Sequence, residues 1–86
     1  MIFFFNLVVT HWSAAVKNHL LEGYTTEKLQ NQTVKSCQAI CDIRPHCKSI
    51  EFHNSKSCNL NDASSESVKL TPNSLFDYYE KVLKCQ

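Results

Sequence analysis

Five cysteines are the residues of this 86-residue chain whose type and spacing could do chemistry. Four of them follow the spacing Cys37-x3-Cys41-x5-Cys47-x10-Cys58. The fifth, Cys85, stands apart near the end of the chain. Thiols in this arrangement can form disulfides, bind zinc together with His46 or His53, or supply a nucleophile beside an imidazole. Because five cysteines can pair in many ways, their spacing alone leaves the pairing open.

Structural disulfides are the chemistry that the sequence favours. The usual C-x2-C zinc knuckle is absent, and a catalytic thiol beside His46 would need an orienting Asn or Asp that the sequence does not place. The chain has one glycine, whereas phosphate-cradling loops need several. We therefore expect no metal, no cofactor and no enzymatic activity.

Charge and length narrow the class further. Nine basic and eight acidic side chains give a net charge of +1 without a basic cluster, so nucleic acid is not an expected partner. Eighty-six residues suffice for one small domain. A chain this short and lean in apolar residues usually needs covalent cross-links to hold its fold.

The first 15 residues are apolar and uncharged, and they end in Ser13-Ala14-Ala15. This pattern predicts a signal peptide cleaved after Ala15, which leaves residues 16–86 as a single secreted domain. The apolar run is too short to cross a bilayer, so no membrane span is expected. Since no Lys or Arg precedes Lys17, a buried first strand is the alternative interpretation of this segment.

Local patterns predict one helix and several extended segments. Thr33 is a good N-cap for a helix over residues 34–43, which must end before Pro45. Residues 18–24 are expected to be extended and to turn at Gly23, and residues 25–32 to form a polar loop. Residues 48–53 and 58–60 predict a hairpin, and residues 61–74 an exposed loop. Residues 75–82 fit a helix or a strand equally well.

Five segments together resemble the PAN/apple domain family over residues 18–85. They are Gly23-Tyr24, Ser36-Cys-Gln-Ala-Ile-Cys41, Pro45-His-Cys-Lys-Ser-Ile-Glu-Phe52, Cys58-Asn-Leu-Asn-Asp62 and Phe76-Asp-Tyr-Tyr-Glu80. The resemblance implies an α+β fold in which a disulfide-stapled antiparallel sheet cradles one α-helix. It also implies that residues 76–82 form a strand. The implied disulfides are Cys37 to Cys58 and Cys41 to Cys47.

Cys85 departs from the family pattern. In the longer version of the domain, the late cysteine pairs with one on the first strand, but residues 12–16 of this chain contain no cysteine. We therefore expect Cys85 to be a free, reactive thiol or to join two copies in a disulfide-linked homodimer.

A few surface residues are candidates for ligand contacts and modification. Arg44, His46 and Lys48 cluster around the turn after the helix, where they could meet an acidic partner such as a sulfated glycan or form a solvated rim. Tyr79, which shares a strand face with Asp77 and Lys81, is expected to be the exposed member of the aromatic cluster of residues 76–79. Asn31-Gln32-Thr33 is an N-glycosylation sequon.

The family resemblance implies a secreted binding module that recognises an extracellular protein or a carbohydrate. The alternative is a small disulfide-rich effector, such as a toxin or a protease inhibitor, whose activity would lie in the loop of residues 61–74. A protease-inhibition assay with and without that loop separates these two hypotheses.

Overall fold

The computed structural model describes residues 8–85, which form one curled antiparallel sheet and one α-helix. The elements are β1 Val8–Trp12, β2 Val16–Leu20, β3 Thr25–Leu29, α1 Val34–Asp42, β4 Ser49–His53, β5 Ser57–Asn61 and β6 Thr71–Cys85. This is the α+β arrangement expected from the family resemblance. Within the described residues, no helix is long and apolar enough to cross a membrane.

The long strand β6 organises the sheet. The strand order is β1-β6-β4-β5-β3, and β2 also pairs with β6. One side of β6 is covered first by β2 and then, nearer its C-terminal end, by β1; the other side pairs with β4. Residues 76–82 are therefore strand, as the resemblance implies.

The helix begins and ends close to its predicted limits. The Thr33 side chain accepts a hydrogen bond from the backbone N–H of Ser36, and the Ser36 hydroxyl accepts one from the Thr33 N–H, which completes a capping box. Cys37 and Cys41 lie one turn apart on the buried face of α1. The C-cap is Ile43, two residues before Pro45.

Two disulfides fix α1 to the sheet and to the following turn. Cys37 is bonded to Cys58 on β5, and Cys41 is bonded to Cys47, which are the pairs expected from the resemblance. Because these four sulfurs are in disulfides, the zinc hypothesis is wrong. The cysteines pack with two buried aliphatic residues, Ile50 and Leu60, in the main core cluster.

The opposite face of the sheet is covered by a second, smaller cluster. Leu21, Ala63 and Tyr78 are buried together there, and Val68 and Leu70 pack against them. The segment of residues 62–70 therefore lies over this face. The Ser49 hydroxyl donates a 2.6 Å hydrogen bond to the Ala63 carbonyl and holds the segment down. The prediction of an exposed loop over residues 61–74 is confirmed for most of residues 62–70, which are loop and largely exposed apart from the buried Ala63. It is wrong at both ends, where Asn61 belongs to β5 and residues 71–74 belong to β6, because pairing with a neighbouring strand is not visible in a small polar composition.

Residues 25–32 are also not the loop that their polarity predicts. Thr25–Leu29 form β3, an edge strand that pairs with β5. Half of the strand faces solvent, so its polar residues are compatible with pairing, and β-branched threonines favour extended backbone. A short polar segment adopts strand structure here because a neighbouring strand offers hydrogen bonds to its backbone.

The N-terminal strand lies along the end of β6. Residues 8–12 pair with residues 81–85, and the Ser13 N–H donates to the Glu80 carbonyl at 2.9 Å. Residues 1–7 of the expected signal peptide lie outside the described residues. Cleavage after Ala15 stays a prediction, and it would remove β1 from the sheet.

A buried carboxylate connects three parts of the fold. Glu51 is 3% exposed. One of its oxygens accepts hydrogen bonds from the Leu21 N–H at 2.9 Å and the Asn61 side chain at 3.2 Å, and the other accepts from the Asn59 side chain at 3.1 Å. The three N–H donors compensate for removing the carboxylate from water.

We predict that Glu51→Gln destabilises the protein by about 1–3 kcal/mol, because the new amide N–H groups would face donors in a buried site. Chemical denaturation measures the free energy of unfolding. The control is Glu66→Gln at an exposed position, which should change it by less than about 0.5 kcal/mol. A Glu51→Gln variant as stable as the wild type would contradict the role given to this carboxylate.

The two disulfides should differ in their contribution to stability. Their cysteines are 21 and 6 residues apart in the sequence, so the Cys37–Cys58 bridge constrains the unfolded chain more. Removal of this bridge as a double serine variant should cost about 1 kcal/mol more than removal of Cys41–Cys47, on the entropy model. Denaturant unfolding of both variants measures the difference, and an equal or reversed order would overturn the prediction.

Candidate functional site

An open groove of about 610 Å³ lies at one end of the sheet. Three segments line it: the turn after α1, the loop over the second cluster, and the part of β6 near β1. The polar groups that matter below belong to Lys48, Ser64, Glu66, Ser67, Glu80 and Lys81.

The turn after α1 is held rigidly. The Arg44 N–H donates to the Cys41 carbonyl and the Cys47 N–H donates to the Arg44 carbonyl, both at 3.1 Å. The Cys41–Cys47 disulfide closes the same turn covalently. Lys48 follows directly and is exposed, while its backbone bonds to both neighbouring strands through Asn61 and Lys81. The Lys48 backbone is therefore fixed, and its side chain starts from a defined place at the groove.

Glu80 holds the loop of residues 62–70, which forms one wall of the groove, against the sheet. Its carboxylate accepts hydrogen bonds from the Ser65 N–H at 3.1 Å, the Ser65 hydroxyl at 2.6 Å and the Tyr78 hydroxyl at 2.8 Å. Burial alone would raise the pKa of Glu80, but the hydrogen bonds from Ser65 and Tyr78 outweigh it and hold this pKa below its ordinary value of 4.5. The ionised Glu80 therefore holds the loop in place through Ser65, and we call Glu80, Tyr78 and Ser65 the Glu80 latch.

Tyr78 is the buried member of this latch. Its side chain is fully buried, and its hydroxyl accepts from the Ser65 N–H while it donates to Glu80. Burial, reinforced by the nearby Glu80, raises the pKa of Tyr78 to about 12. The hydroxyl therefore stays protonated and keeps donating to the carboxylate across the physiological range.

Lys81 contributes to the groove and to the fold together. Its ammonium donates a 3.0 Å hydrogen bond to the Cys41 carbonyl near the end of α1. Burial lowers the pKa of Lys81, against an opposing effect of Asp42. The favourable place of a cation at a helix C-terminus explains why a half-buried lysine is tolerated there.

The predicted contact residues do not all meet at the groove. Lys48 lines it. His46 is exposed beside the same turn without being among the lining residues. Arg44 is paired with Glu27 on β3, with 2.7 Å between Nε and Oε2, and this hydrogen bond lowers the pKa of Glu27. Arg44, His46 and Lys48 therefore do not act as one basic cluster, because Arg44 forms an ion pair with Glu27 instead.

The face assigned to Tyr79 is also different from the prediction. Tyr79 is half-buried and packs against the disulfide-containing cluster on the helix side of the sheet, and Lys81 reaches the helix from the same face. Tyr78 lies on the opposite face under residues 62–70. The two tyrosines point to opposite faces of the sheet, as residues next to each other in a strand do. Because both faces are covered here, Tyr79 is not the exposed residue that the sequence predicts. Phe76 packs edge-on against His53, with 4.9 Å between ring centroids.

Two other predicted positions lie away from the groove. Asn31 is exposed in the turn before α1. The Cys85 backbone pairs with Val8, but its side chain lies outside the described residues, so the free thiol and the disulfide-linked homodimer stay predictions.

The sequence analysis did not identify Ser64, Glu66, Ser67, Glu80 and Lys81 as groove residues. In a strand, Glu80 shares a face with Tyr78 and Lys81 shares a face with Tyr79, and this pattern is the only local indication of where the two charged side chains lie. Nothing in the sequence shows which segment crosses that end of the sheet. The small polar composition of the loop indicates solvent exposure instead.

The second hollow of the described surface is smaller, about 310 Å³. It contains Lys17 and Asp77, which form an ion pair of 2.8 Å. The hydrogen bond from Lys17 lowers the pKa of Asp77, and the pKa of Lys17 is raised by the same contact. Because its charges already satisfy each other, this hollow offers a ligand less than the groove does.

The groove offers a ligand charged and hydroxyl groups. Lys48 and Glu66 present opposite charges to solvent, and Ser64 and Ser67 add hydroxyl groups. Among residues 8–85, no three His, Cys, Asp or Glu side chains are grouped to hold a metal ion. The arrangement suits a partner that offers both hydrogen bonds and charges.

Comparison with known proteins gives one match. A family model described as the PAN domain matches residues 13–85, which includes all segments of the groove. No curated protein and no solved structure matches the chain.

The Glu80 latch gives a prediction about acid stability. Because its folded-state pKa is below 4.5, the ionised carboxylate adds stability above that pH, and this contribution is lost as the pH falls through the folded value. Glu80→Gln can still accept hydrogen bonds but does not titrate. The difference in unfolding free energy between wild type and this variant should therefore shrink below about pH 4.5.

Denaturant titrations of the two proteins at a series of pH values measure this difference, in which contributions from other carboxylates cancel. Ser65→Ala keeps the carboxylate but removes the hydroxyl donor, so its acid sensitivity should lie between the two. A pH-independent difference between wild type and Glu80→Gln would show that Glu80 is not such a latch.

Proposed function

The chain belongs to the PAN domain family, and from this premise we propose that it is a secreted module that binds an extracellular protein through the groove. PAN domains are protein- and carbohydrate-binding modules that are typically extracellular. Two buried disulfides support an oxidising compartment, since cytosolic thiols are kept reduced.

The observation that carries the proposal is the mixed charge of the groove. Lys48 is exposed on one wall and Glu66 on the other, and neither is a member of an ion pair in the described structure. Opposite charges on facing walls favour a partner that carries both signs, and they steer its orientation. A folded protein surface has this character.

A sulfated glycan fits the groove less well than a protein. Glu66 and Glu80 offset the positive charges of Lys48 and Lys81, so the groove has no excess of positive charge for sulfates, and Arg44 is already engaged by Glu27. A neutral sugar often stacks on an exposed aromatic ring, but Tyr79 packs into the core and no aromatic side chain of the described residues lines the groove. The observations therefore favour protein over carbohydrate as the ligand.

The alternative of a protease inhibitor or toxin gains no support from the loop. The N–H groups of Ser67 and Val68 both donate to the Ser64 carbonyl at 3.1 Å, so the exposed part of this loop is a tight turn. A protease takes its substrate segment extended across the active site. The loop would have to unfold to be bound in that way.

We predict that charge reversal in the groove weakens binding to a protein ligand by about tenfold, because it places like charges together. The oxidised domain is first applied to arrays of extracellular proteins and of glycans. Lys48→Glu and Glu66→Lys are then titrated against each protein that binds. The matched control is Lys28→Glu on β3, an exposed reversal at the far edge of the sheet.

Two results would overturn the proposal. One is binding that Lys28→Glu weakens as much as Lys48→Glu does, because the contact would then follow net charge rather than the groove. The other is selective binding of glycans, or inhibition of proteases, that the groove variants leave unchanged.

A further inference from the structure

The turn between β3 and α1 presents Asn31 to solvent in an unusual backbone conformation. Asn31 has a φ of 56°, in the left-handed region, which asparagine tolerates better than most residues. It opens the sequon Asn31-Gln32-Thr33. We propose that Asn31 is an N-glycosylation site that is modified far more efficiently before α1 forms than after.

Folding engages the hydroxyl group that the sequon must offer. N-glycosylation requires Ser or Thr two residues after the asparagine. In the folded chain the Thr33 hydroxyl accepts a 3.0 Å hydrogen bond from the Ser36 N–H, and the Thr33 N–H donates to the Ser36 hydroxyl at 2.9 Å. The side chain that defines the sequon is therefore the one that caps the helix.

The middle residue of the sequon is held as well. The Gln32 N–H donates to the Lys56 carbonyl at 2.8 Å, and the Gln32 side chain accepts from the Ser36 hydroxyl at 2.7 Å. The sequon is thus tied both to α1 and to the turn between β4 and β5. An enzyme that must reshape this segment has to break these contacts first, whereas an unfolded chain offers it without that cost.

The transfer itself is a substitution at a sugar carbon. The Asn31 side-chain nitrogen forms a bond to the anomeric carbon of an oligosaccharide carried on a lipid diphosphate. The bond between that carbon and the diphosphate oxygen breaks, the lipid diphosphate leaves with its electron pair, and the amide gives up one proton. No oxidant or reductant is needed.

A glycan at this position leaves the groove open. Gln32 contacts Lys56 at the turn that ends β4, whereas Lys48 lies just before β4 begins. The five residues of β4 are separated by four steps of about 3.3 Å, which place the two ends of the strand roughly 13 Å apart. The glycan would cover the hairpin end of the sheet, and the proposed binding function stays compatible with it.

The test compares folded and unfolded chains as acceptors. Full-length oxidised chain and the same chain kept reduced are incubated with detergent-opened microsomal membranes and a lipid-linked oligosaccharide, and mass spectrometry measures occupancy at Asn31. We expect occupancy of the reduced chain to be about tenfold higher than that of the oxidised chain. This factor corresponds to the free energy of one helix cap, which the enzyme would have to break in the folded chain. Equal occupancy would overturn the folding dependence, and an unmodified reduced chain would overturn the site.

Three variants separate the sequon from the helix cap. Asn31→Asp removes the acceptor amide and keeps a residue that tolerates positive φ; Thr33→Asp removes the sequon and keeps a good N-cap. Both should fold like the wild type and carry no glycan even when reduced. Thr33→Ser keeps cap and sequon, so its occupancy should be higher when reduced by about the same factor as in the wild type. A glycan on Asn31→Asp would place the modification elsewhere and contradict the proposal.

Discussion

The Cys37–Cys58 disulfide is the contact on which the rest of this small domain depends. It joins the buried face of α1 to β5, and both sulfurs lie in a core cluster with Ile50 and Leu60. A domain with so little apolar surface gains limited stability from burial alone, and a cross-link that narrows the unfolded ensemble compensates for that. The helix, only nine residues long, would be marginal without this attachment.

The groove follows from the same attachment. Once α1 is fixed on the sheet, the Cys41–Cys47 bridge sets the turn that presents Lys48. On the opposite face, Tyr78 and Glu80 hold the loop that forms the other wall. The binding surface thus consists of a turn closed by a disulfide and a loop held by hydrogen bonds, both on one sheet. These two segments place the opposite charges of Lys48 and Glu66 at the groove.

The sequence predicts those parts of the fold that local chemistry determines. The Thr33 cap and Pro45 mark the helix, and alternating residues mark the β4–β5 hairpin. The strand assignment of β6 and the bridge pairing come from the family resemblance, because local patterns are balanced between alternatives. The edge strand β3, the covering loop and the Arg44–Glu27 pair could not be predicted, since each depends on a partner distant in the sequence.

The most direct test of this account is amide hydrogen exchange of the oxidised protein, followed residue by residue. We expect amides of β4, β5 and the buried face of α1 to exchange only through global unfolding, with the opening free energy that denaturation gives. The Ser65 amide, held by Glu80 and Tyr78, should exchange through a local opening of lower free energy. If the amides of Ile50 and Leu60 exchange as readily as that of Ser65, the helix and hairpin joined by the Cys37–Cys58 disulfide are not the most stable part of the domain, and the central claim is wrong.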